Sequence, residues 1–165
     1  MDRLPQRKNL RLRAYDYRWP GPYFVTICTQ HFECRFGQIR DYEMHVNEAG
    51  EMILETWQSV ASKFPVLTLD AFVLMPNHFH GIVMSGNQDA EANPSLGDVV
   101  QWFKTMTTNR YIQGVKGRGW PPFDRRLWHR NYHDHVVRND QDMDRIRTYI
   151  ENNPAVWMED RFHVP

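Results

Sequence analysis

The sequence has few cysteines, no long apolar run and no excess of either charge, and each absence narrows the possible protein classes. Only Cys28 and Cys34 occur among 165 residues, so neither a disulfide framework nor a cysteine-based zinc site is expected. No stretch approaches the roughly 20 consecutive apolar residues that cross a membrane. The opening residues are charged and lack the apolar core of a secretion signal. We therefore expect a cytoplasmic protein with no membrane partner.

The formal net charge is zero, but the basic residues are concentrated in two segments. Residues 1–18 contain six basic and two acidic side chains, and residues 104–130 contain seven basic and one acidic, with Trp120, Phe123 and Trp128 interleaved. Basic and aromatic residues in alternation suit a phosphate backbone with stacked bases, although a solvated loop with aromatic anchors has the same composition. The pattern predicts DNA binding by these residues: Arg7, Lys8, Arg11, Arg13, Lys116, Arg118, Arg125, Arg126 and Arg130.

Hydrophobic periodicity predicts one mixed domain. Strands are expected at residues 23–30, 67–75, 78–84 and 133–138, and helices at about 47–63, 95–111 and 140–153. The second helix should turn these residues inward: Val99, Val100, Phe103, Met106 and Thr107. Residues 36–46 predict a small hairpin or an edge strand, and residues 113–126, with three glycines and a proline pair, predict a mobile basic loop. The order of these strands and helices along the chain fits an α+β fold: a ferredoxin-like split β-α-β antiparallel sheet with an added C-terminal helix.

The segment AFVLMPNHFHGIVM, residues 71–84, joins two apolar runs at Pro76-Asn77. Alternation along a strand places His78 and His80 on one face and Phe79 on the other. Two imidazoles on a rigid strand suit a metal ion, although a polar strip on a half-exposed strand has the same spacing.

The last predicted helix carries Tyr149 and Asn153 four residues apart, so both project from one side, beside its apolar stripe. Tyr132, in a basic and aromatic stretch between His129 and His133, is a rival nucleophile. His133 and His135 form a second alternating pair without an apparent third ligand, so they are expected to support the fold or contact DNA.

The combination of VLMPNHFHGIV with RIRTYIENNP resembles the single-tyrosine HUH transposases, in particular the group associated with repetitive extragenic palindromes. The stretches RLRAYDYRWPGPYFVTICT and LWHRNYHDHVVRND occur in the same order as in that family. The resemblance therefore covers nearly the whole chain. It implies a single transposase domain over residues 1–165, with a basic arm at 1–22, a core at 23–138 and a tyrosine helix and tail at 139–165.

The resemblance also implies residue roles. His78 and His80 would bind a divalent metal, Mg²⁺ or Mn²⁺, and Tyr149 would be the nucleophile, with Tyr132 as the alternative. Asn153 stands where insertion-sequence relatives have a metal-binding glutamine, and it is shorter by one methylene. The implied reaction cleaves and rejoins single-stranded DNA at hairpin-associated palindromes through a 5′-phosphotyrosine. A metal suits this chemistry because a tyrosine hydroxyl, with a pKa of about 10, needs an activated phosphate to attack.

Several alternative functions are compatible with the same residues. A non-catalytic DNA-binding protein could use the same scaffold, and a metal-dependent phosphodiesterase could combine His78 and His80 with a carboxylate such as Asp134. A replication initiator or relaxase would use the same chemistry on another DNA. Insertion-sequence relatives exchange the tyrosine helix between subunits, whereas palindrome-associated relatives can act alone. Monomer and homodimer both stay open, and the short tail after Pro154 favours a monomer.

Overall fold

The structure is a computed structural model that describes residues 18, 20–86 and 88–164. The predicted DNA-binding residues Arg7, Lys8, Arg11 and Arg13, and most of the predicted arm at 1–22, lie outside the described residues. Ten helices and strands organise the described chain: β1 Gly21–Cys28, β2 Gly37–Arg40, β3 Glu43–Val46, α1 Glu48–Gln58, α2 Val60–Lys63, β4 Leu67–Leu74, β5 His78–Ser85, α3 Leu96–Arg118, β6 His133–Val136 and α4 Asp140–Asn152. Within these residues, no helix has both the length and the apolar character needed to cross a membrane.

The main sheet has four strands in the order β4-β5-β1-β6, and each neighbouring pair is antiparallel. With α1 and α2 before β4, and α3 before β6, this is the ferredoxin-like split β-α-β topology, followed by α4. The predicted fold class is therefore confirmed. The predicted hairpin at 36–46 is also confirmed, because β2 and β3 pair as a separate two-stranded sheet.

Polar side chains cap the N-termini of the three main helices. The Asn47 side chain accepts a hydrogen bond from the Gly50 amide at 2.9 Å. Ser95 and Asp98 form a reciprocal capping box, and Asn139 accepts from the Asp142 amide at 2.8 Å. Each cap satisfies an amide that the first helical turn leaves without an intrahelical partner.

The end of α3 contradicts the prediction. The helix continues to Arg118 instead of ending near Tyr111, so residues 113–118 are helical and not a mobile loop. Gly114 permits the Trp120 ring to pack onto the end of the helix, because a Cβ at position 114 would overlap that ring. Gly119 ends the helix in the left-handed conformation, with φ +70°. The prediction that Met106 faces inward is wrong as well, because its side chain is exposed.

The two faces of the sheet have different coverings. Val25, Ile27 and Phe79 belong to the larger core beneath α1 and α3. The opposite face packs against α4 through a smaller apolar cluster: Ile82, Val137, Met143, Ile146 and Ile150. Burial of each such side chain contributes about 1.5–3 kcal/mol relative to exposure. The position of α4 over the sheet is therefore fixed mainly by its apolar stripe.

An ion pair supplements this packing. Arg147 on α4 binds Asp70 with two hydrogen bonds, of 2.9 and 2.8 Å. Asp70 lies where the β4–β5 register shifts between Leu69 and Phe72, and such an irregularity can redirect a side chain from the regular strand pattern. The bidentate geometry adds orientation to the contact, and it ties the middle of α4 to the edge strand of the sheet.

Candidate metal and nucleophile site

His78 and His80 lie next to each other on β5, on the sheet face that α4 covers. Both side chains are fully buried, and their ring centroids are 4.6 Å apart. Phe79 points into the larger core on the other face. The predicted alternation is confirmed, and the interpretation of the pair as a half-exposed polar strip is wrong.

Hydrogen bonds fix the orientation of His78. The Asn77 amide nitrogen donates to the carbonyls of Phe32, at 2.9 Å, and Phe162, at 2.7 Å. The Asn77 Oδ1 atom lies 2.8 Å from His78 Nδ1 and must therefore accept a hydrogen bond from Nδ1–H. The lone pair of His78 is then on Nε2, the atom that is free to bind a metal.

His80 is oriented in a similar way. Its Nδ1 lies 2.7 Å from the Thr26 hydroxyl on β1, and Phe24 stacks on its ring with centroids 5.4 Å apart. The Nε2 atom faces α4. The Thr26 hydroxyl can accept from Nδ1–H, and in that tautomer both histidines present an unprotonated Nε2 to the same space.

Burial controls the protonation of these groups. Desolvation lowers the pKa of His78 to about 4, against the opposing effect of the Asp160 carboxylate. Desolvation, with His78 and Arg161 as further causes, lowers the pKa of His80 well below its usual range. Both imidazoles are consequently neutral at pH 7, which is the protonation state of a metal ligand. Burial raises the pKa of Tyr149, so this hydroxyl is protonated in the resting protein.

Tyr149 projects from α4 toward His80. Its hydroxyl lies 3.3 Å from His80 Nε2, and its ring contacts the edge of the His80 ring. The side chain is 41% exposed, so one side touches the histidine and the other is open to solvent. This combination of contact and access suits a nucleophile that must meet a large substrate.

Asn153 is the first residue after α4 and is fully buried. Its amide lies beside His78 and Tyr149, yet neither of its polar atoms has a well-formed hydrogen bond to another described residue. His78 Nε2 also has no such partner among those residues. Each buried polar atom left unmatched costs about 1–3 kcal/mol. A cation held between these groups would satisfy the imidazole nitrogen and the amide oxygen together.

Asp160 is a site residue that sequence reasoning missed. Its Oδ2 lies 3.7 Å from His78 Nε2, and its side chain is only 3% exposed. Ligand atoms of His78, His80 and Asp160 all lie within 4.8 Å of one another. Two imidazole nitrogens, a carboxylate and an amide oxygen form a donor set that accepts Mg²⁺, Mn²⁺ or Zn²⁺.

The C-terminal tail brings Asp160 to the histidines. A turn of 3-10 helix at Trp157–Glu159 reverses the chain after α4. Trp157 and Phe162 are buried, and the Phe162 ring lies 4.8 Å from the His78 ring. The only sequence signal for this return is a pair of large apolar residues in an otherwise polar tail.

The structure separates the other candidates from this site. Asp134 pairs with Val25 in the sheet register, so its side chain lies on the α1 and α3 face, and the carboxylate near the histidines is Asp160 instead. Tyr132 packs against the larger core, with the Lys104 ammonium 5.6 Å from its ring centroid. His135 bonds to Asp142 in the first turn of α4 at 2.7 Å, a contact that links β6 to this helix.

The predicted basic residues of the second segment fall into two groups. Lys116 and Arg118 lie near the end of α3, where a cavity of about 360 Å³ is lined by Arg118 together with Glu48, Glu51 and Glu55. Arg125, Arg126 and Arg130 are exposed on the segment that follows, beside a separate groove.

A ferredoxin-like sheet with paired histidines on a central strand and a tyrosine on the helix after the last strand has the arrangement expected of single-tyrosine transposases. The chain belongs to the IS200-like transposase family: residues 36–153 match the family described as "Transposase IS200 like". An uncharacterised protein of Haemophilus influenzae is 32% identical over 98% of this chain and 95% of its own length.

Two solved structures share the fold. One is a tyrosine transposase associated with REP sequences and bound to a REP hairpin; it has 18% identity, a TM-score of 0.60, and covers 88% of this chain and 72% of that one. The other, from Deinococcus radiodurans R1, is described as a candidate transposase, with 21% identity, a TM-score of 0.52, and 86% and 95% coverage. At these identities the likeness concerns the fold.

Proposed function

We propose that this transposase cleaves and rejoins single-stranded DNA at hairpin-associated sites, with Tyr149 as the nucleophile. The observation that carries the proposal is the 3.3 Å approach of the Tyr149 hydroxyl to His80 Nε2, beside buried polar atoms of His78 and Asn153 that have no hydrogen-bond partner among the described residues. The hairpin bound by the REP-associated relative supports a hairpin substrate. The basic arm at 1–22 is proposed to contribute further phosphate contacts.

A divalent ion, Mg²⁺ or Mn²⁺, would be held by His78, His80 and Asp160, with the Asn153 amide oxygen as a further ligand. The unmatched buried atoms of His78 and Asn153 support this assignment. Such an ion supplies Lewis-acid polarisation of the scissile phosphate. Asn77 and Thr26 would hold the two imidazoles in the ligand tautomer and orientation.

The chain's own residues account for the covalent step. The Tyr149 oxygen attacks the scissile phosphorus, and the bond from that phosphorus to the 3′ oxygen of the preceding nucleotide breaks. The phenol proton leaves to solvent, to which the side chain has access, and the departing 3′ oxygen takes up a proton. One phosphodiester replaces another, so a second 3′-hydroxyl can attack the phosphotyrosine and rejoin DNA without a nucleotide cofactor.

The proposed nucleophile is tested directly by measuring whether labelled DNA becomes covalently attached to the protein. Wild type, Tyr149→Phe and Tyr132→Phe are incubated with a hairpin oligonucleotide labelled at its 3′ end, with Mn²⁺ or with a chelator, and separated by denaturing electrophoresis. We expect a metal-dependent labelled adduct with wild type and Tyr132→Phe, and none with Tyr149→Phe. An adduct that forms with wild type and Tyr149→Phe but not with Tyr132→Phe would transfer the nucleophilic role to Tyr132.

The position of Asp160 also favours a second candidate, a metal-dependent phosphodiesterase without a covalent intermediate. Water would then replace Tyr149 as the nucleophile. The same gel separates the two reactions, because the phosphodiesterase would release cleaved DNA without an adduct, and it would still do so in Tyr149→Phe.

The oligomeric state belongs to the same proposal. Tyr149 and its partner His80 come from one chain, and the apolar stripe and the Asp70–Arg147 ion pair hold α4 on its own sheet. We infer that one chain supplies a complete site and acts as a monomer.

A further inference from the structure

A groove of about 350 Å³ separates the middle of α3 from the segment at 125–130. Thr105, Thr108 and Asn109 line it from the helix, where their spacing places them on one side. Exposed Arg125, Arg126 and Arg130 line it from the other wall. The groove thus combines three guanidinium groups with three neutral hydrogen-bonding side chains.

The arginines project from a backbone that is fixed in place. Leu127 and Trp128 are buried between them, and the Trp128 indole donates to the Thr107 hydroxyl at 2.8 Å. The Lys104 ammonium donates to the carbonyl of His129 at 2.9 Å. A rigid backbone lowers the ordering entropy that a bound phosphate chain would otherwise have to overcome.

The charges in this groove are not neutralised by its own walls. Among the described residues that line it, none is a carboxylate. The cavity beside Arg118 differs, because its wall includes Glu48, Glu51 and Glu55, and Glu48 accepts a hydrogen bond from the Trp120 indole at 3.0 Å. An anion is therefore attracted to the first groove and repelled by the carboxylates of the second cavity.

The groove adjoins the histidine site through β1. Trp128 pairs with Thr29 just beyond the end of that strand, and the His129 amide donates to the Cys28 carbonyl at 2.8 Å. Cys28 is in turn opposite His78 on β5. Two strand spacings, about 10 Å, thus separate the backbone of His129, in one wall of the groove, from the backbone of His78.

We propose that this groove binds the single-stranded DNA that flanks the cleavage site. Arg125, Arg126 and Arg130 contact its phosphates, while Asn109 and the two threonine hydroxyls bond to phosphates or base edges. The end of α3 at Lys116 and Arg118 does not take part. The assignment of the DNA to a cleavage flank rests on the proposed function, whereas binding of single-stranded DNA by the groove does not.

Binding is measured by fluorescence anisotropy in the Tyr149→Phe background with chelator, so that cleavage plays no part. Two labelled probes are compared, a hairpin with a single-stranded flank and the same hairpin without the flank. We expect Arg126→Ala with Arg130→Ala to weaken binding of the flanked probe at least tenfold. The slope of log affinity against log salt should fall by about 1.4, for two lost single-strand contacts. Binding of the flankless hairpin should change less than twofold.

Two double variants with the same charge change serve as comparisons. Arg40→Ala with Lys63→Ala, on exposed residues away from both grooves, should leave both affinities within twofold, and Lys116→Ala with Arg118→Ala should do the same. An equal loss in all three double variants would show that only net charge matters and would overturn the proposal. No loss in the Arg126 and Arg130 variant, with an unchanged melting temperature, would overturn it as well.

The adduct assay distinguishes the failure of this proposal from the failure of the proposed function. If wild type forms no adduct on any hairpin but the flank-dependent loss is observed, the groove binds DNA and the catalytic proposal fails. If wild type forms the adduct but the groove variant binds the flank normally, the catalytic proposal stands and the groove proposal fails.

Discussion

At the residue scale, the candidate site is defined by buried polar atoms that have no hydrogen-bond partner in the part of the chain that the structure describes. His78 Nε2 and both polar atoms of Asn153 are unmatched among the described residues, while the Asp160 carboxylate lies 3.7 Å from His78. Two histidine ligands alone do not favour one divalent metal over another. An added carboxylate favours the hard cations Mg²⁺ and Mn²⁺ more than two imidazoles would.

Substitution of Asp160 tests its role as a ligand. We expect Asp160→Asn to weaken Mn²⁺ binding to the DNA-free protein by about tenfold or more, because a charged ligand is replaced by a neutral amide of the same size. Isothermal titration calorimetry measures this affinity without any reaction. The matched control is Glu159→Gln, which removes a charge from the exposed neighbour and should leave the affinity within twofold. An unchanged affinity in Asp160→Asn would remove this carboxylate from the metal site.

At the scale of elements, the reaction geometry depends on how α3 and α4 are placed. The apolar stripe of α4 and the Asp70–Arg147 ion pair set the position from which Tyr149 reaches His80. The C-terminal end of α3 determines where the arginine segment starts. Close packing of Trp120 on Gly114 directs the chain away from the helix at that point.

Gly114 and Gly117 offer a matched pair of substitutions on one helix. We expect Gly114→Ala to destabilise the protein by about 1–3 kcal/mol, because the new methyl group overlaps the Trp120 ring. Gly117 has nothing within 4 Å of an added Cβ, so Gly117→Ala should stabilise the helix by about 0.5–1 kcal/mol. Chemical denaturation of both variants measures these changes. A destabilised Gly117→Ala, or a neutral Gly114→Ala, would contradict the packing described for this helix end.

At the scale of the whole molecule, burial of neutral histidines makes folding stability depend on pH. The pKa of His78 is about 4 in the folded state, against about 6.5 when unfolded. Between these values the unfolded chain binds a proton that the folded protein excludes. The free energy of unfolding therefore has its full contribution from neutral His78 above about pH 6.5. This contribution is lost progressively as the pH falls toward 4.

We expect the free energy of unfolding, measured by urea denaturation with chelator present, to fall between pH 7 and pH 4. The contribution of His78 alone is on the order of 3 kcal/mol, and His80 acts in the same direction. His78→Gln should flatten this dependence, while His45→Gln, at an exposed position, should not. Stability that is constant over this range would show that the folded protein admits protons to the site.

The sequence by itself determined the local features. The caps at Asn47, Ser95 and Asn139 and the alternation of His78, Phe79 and His80 were predictable, because each depends on neighbouring residues in the chain. The order of the predicted strands and helices supplied the topology, and the resemblance carried by the histidine strand and the tyrosine helix supplied the Tyr149 assignment. The proximity of Tyr149 to His80 follows from that topology and agrees with the structure.

Only the tertiary structure decided which distant groups meet. Asp160 joins the histidines because the tail reverses at residues 157–159 and buries Trp157 and Phe162, and no local pattern encodes such a long-range contact. The continuation of α3 through Gly114 and Gly117 depends on Trp120 packing outside the helix, which overrides the low helix propensity of glycine. The two basic groups are distinguishable for the same reason, since Glu48, Glu51 and Glu55 line a cavity with Arg118 only after α1 and α3 pack together.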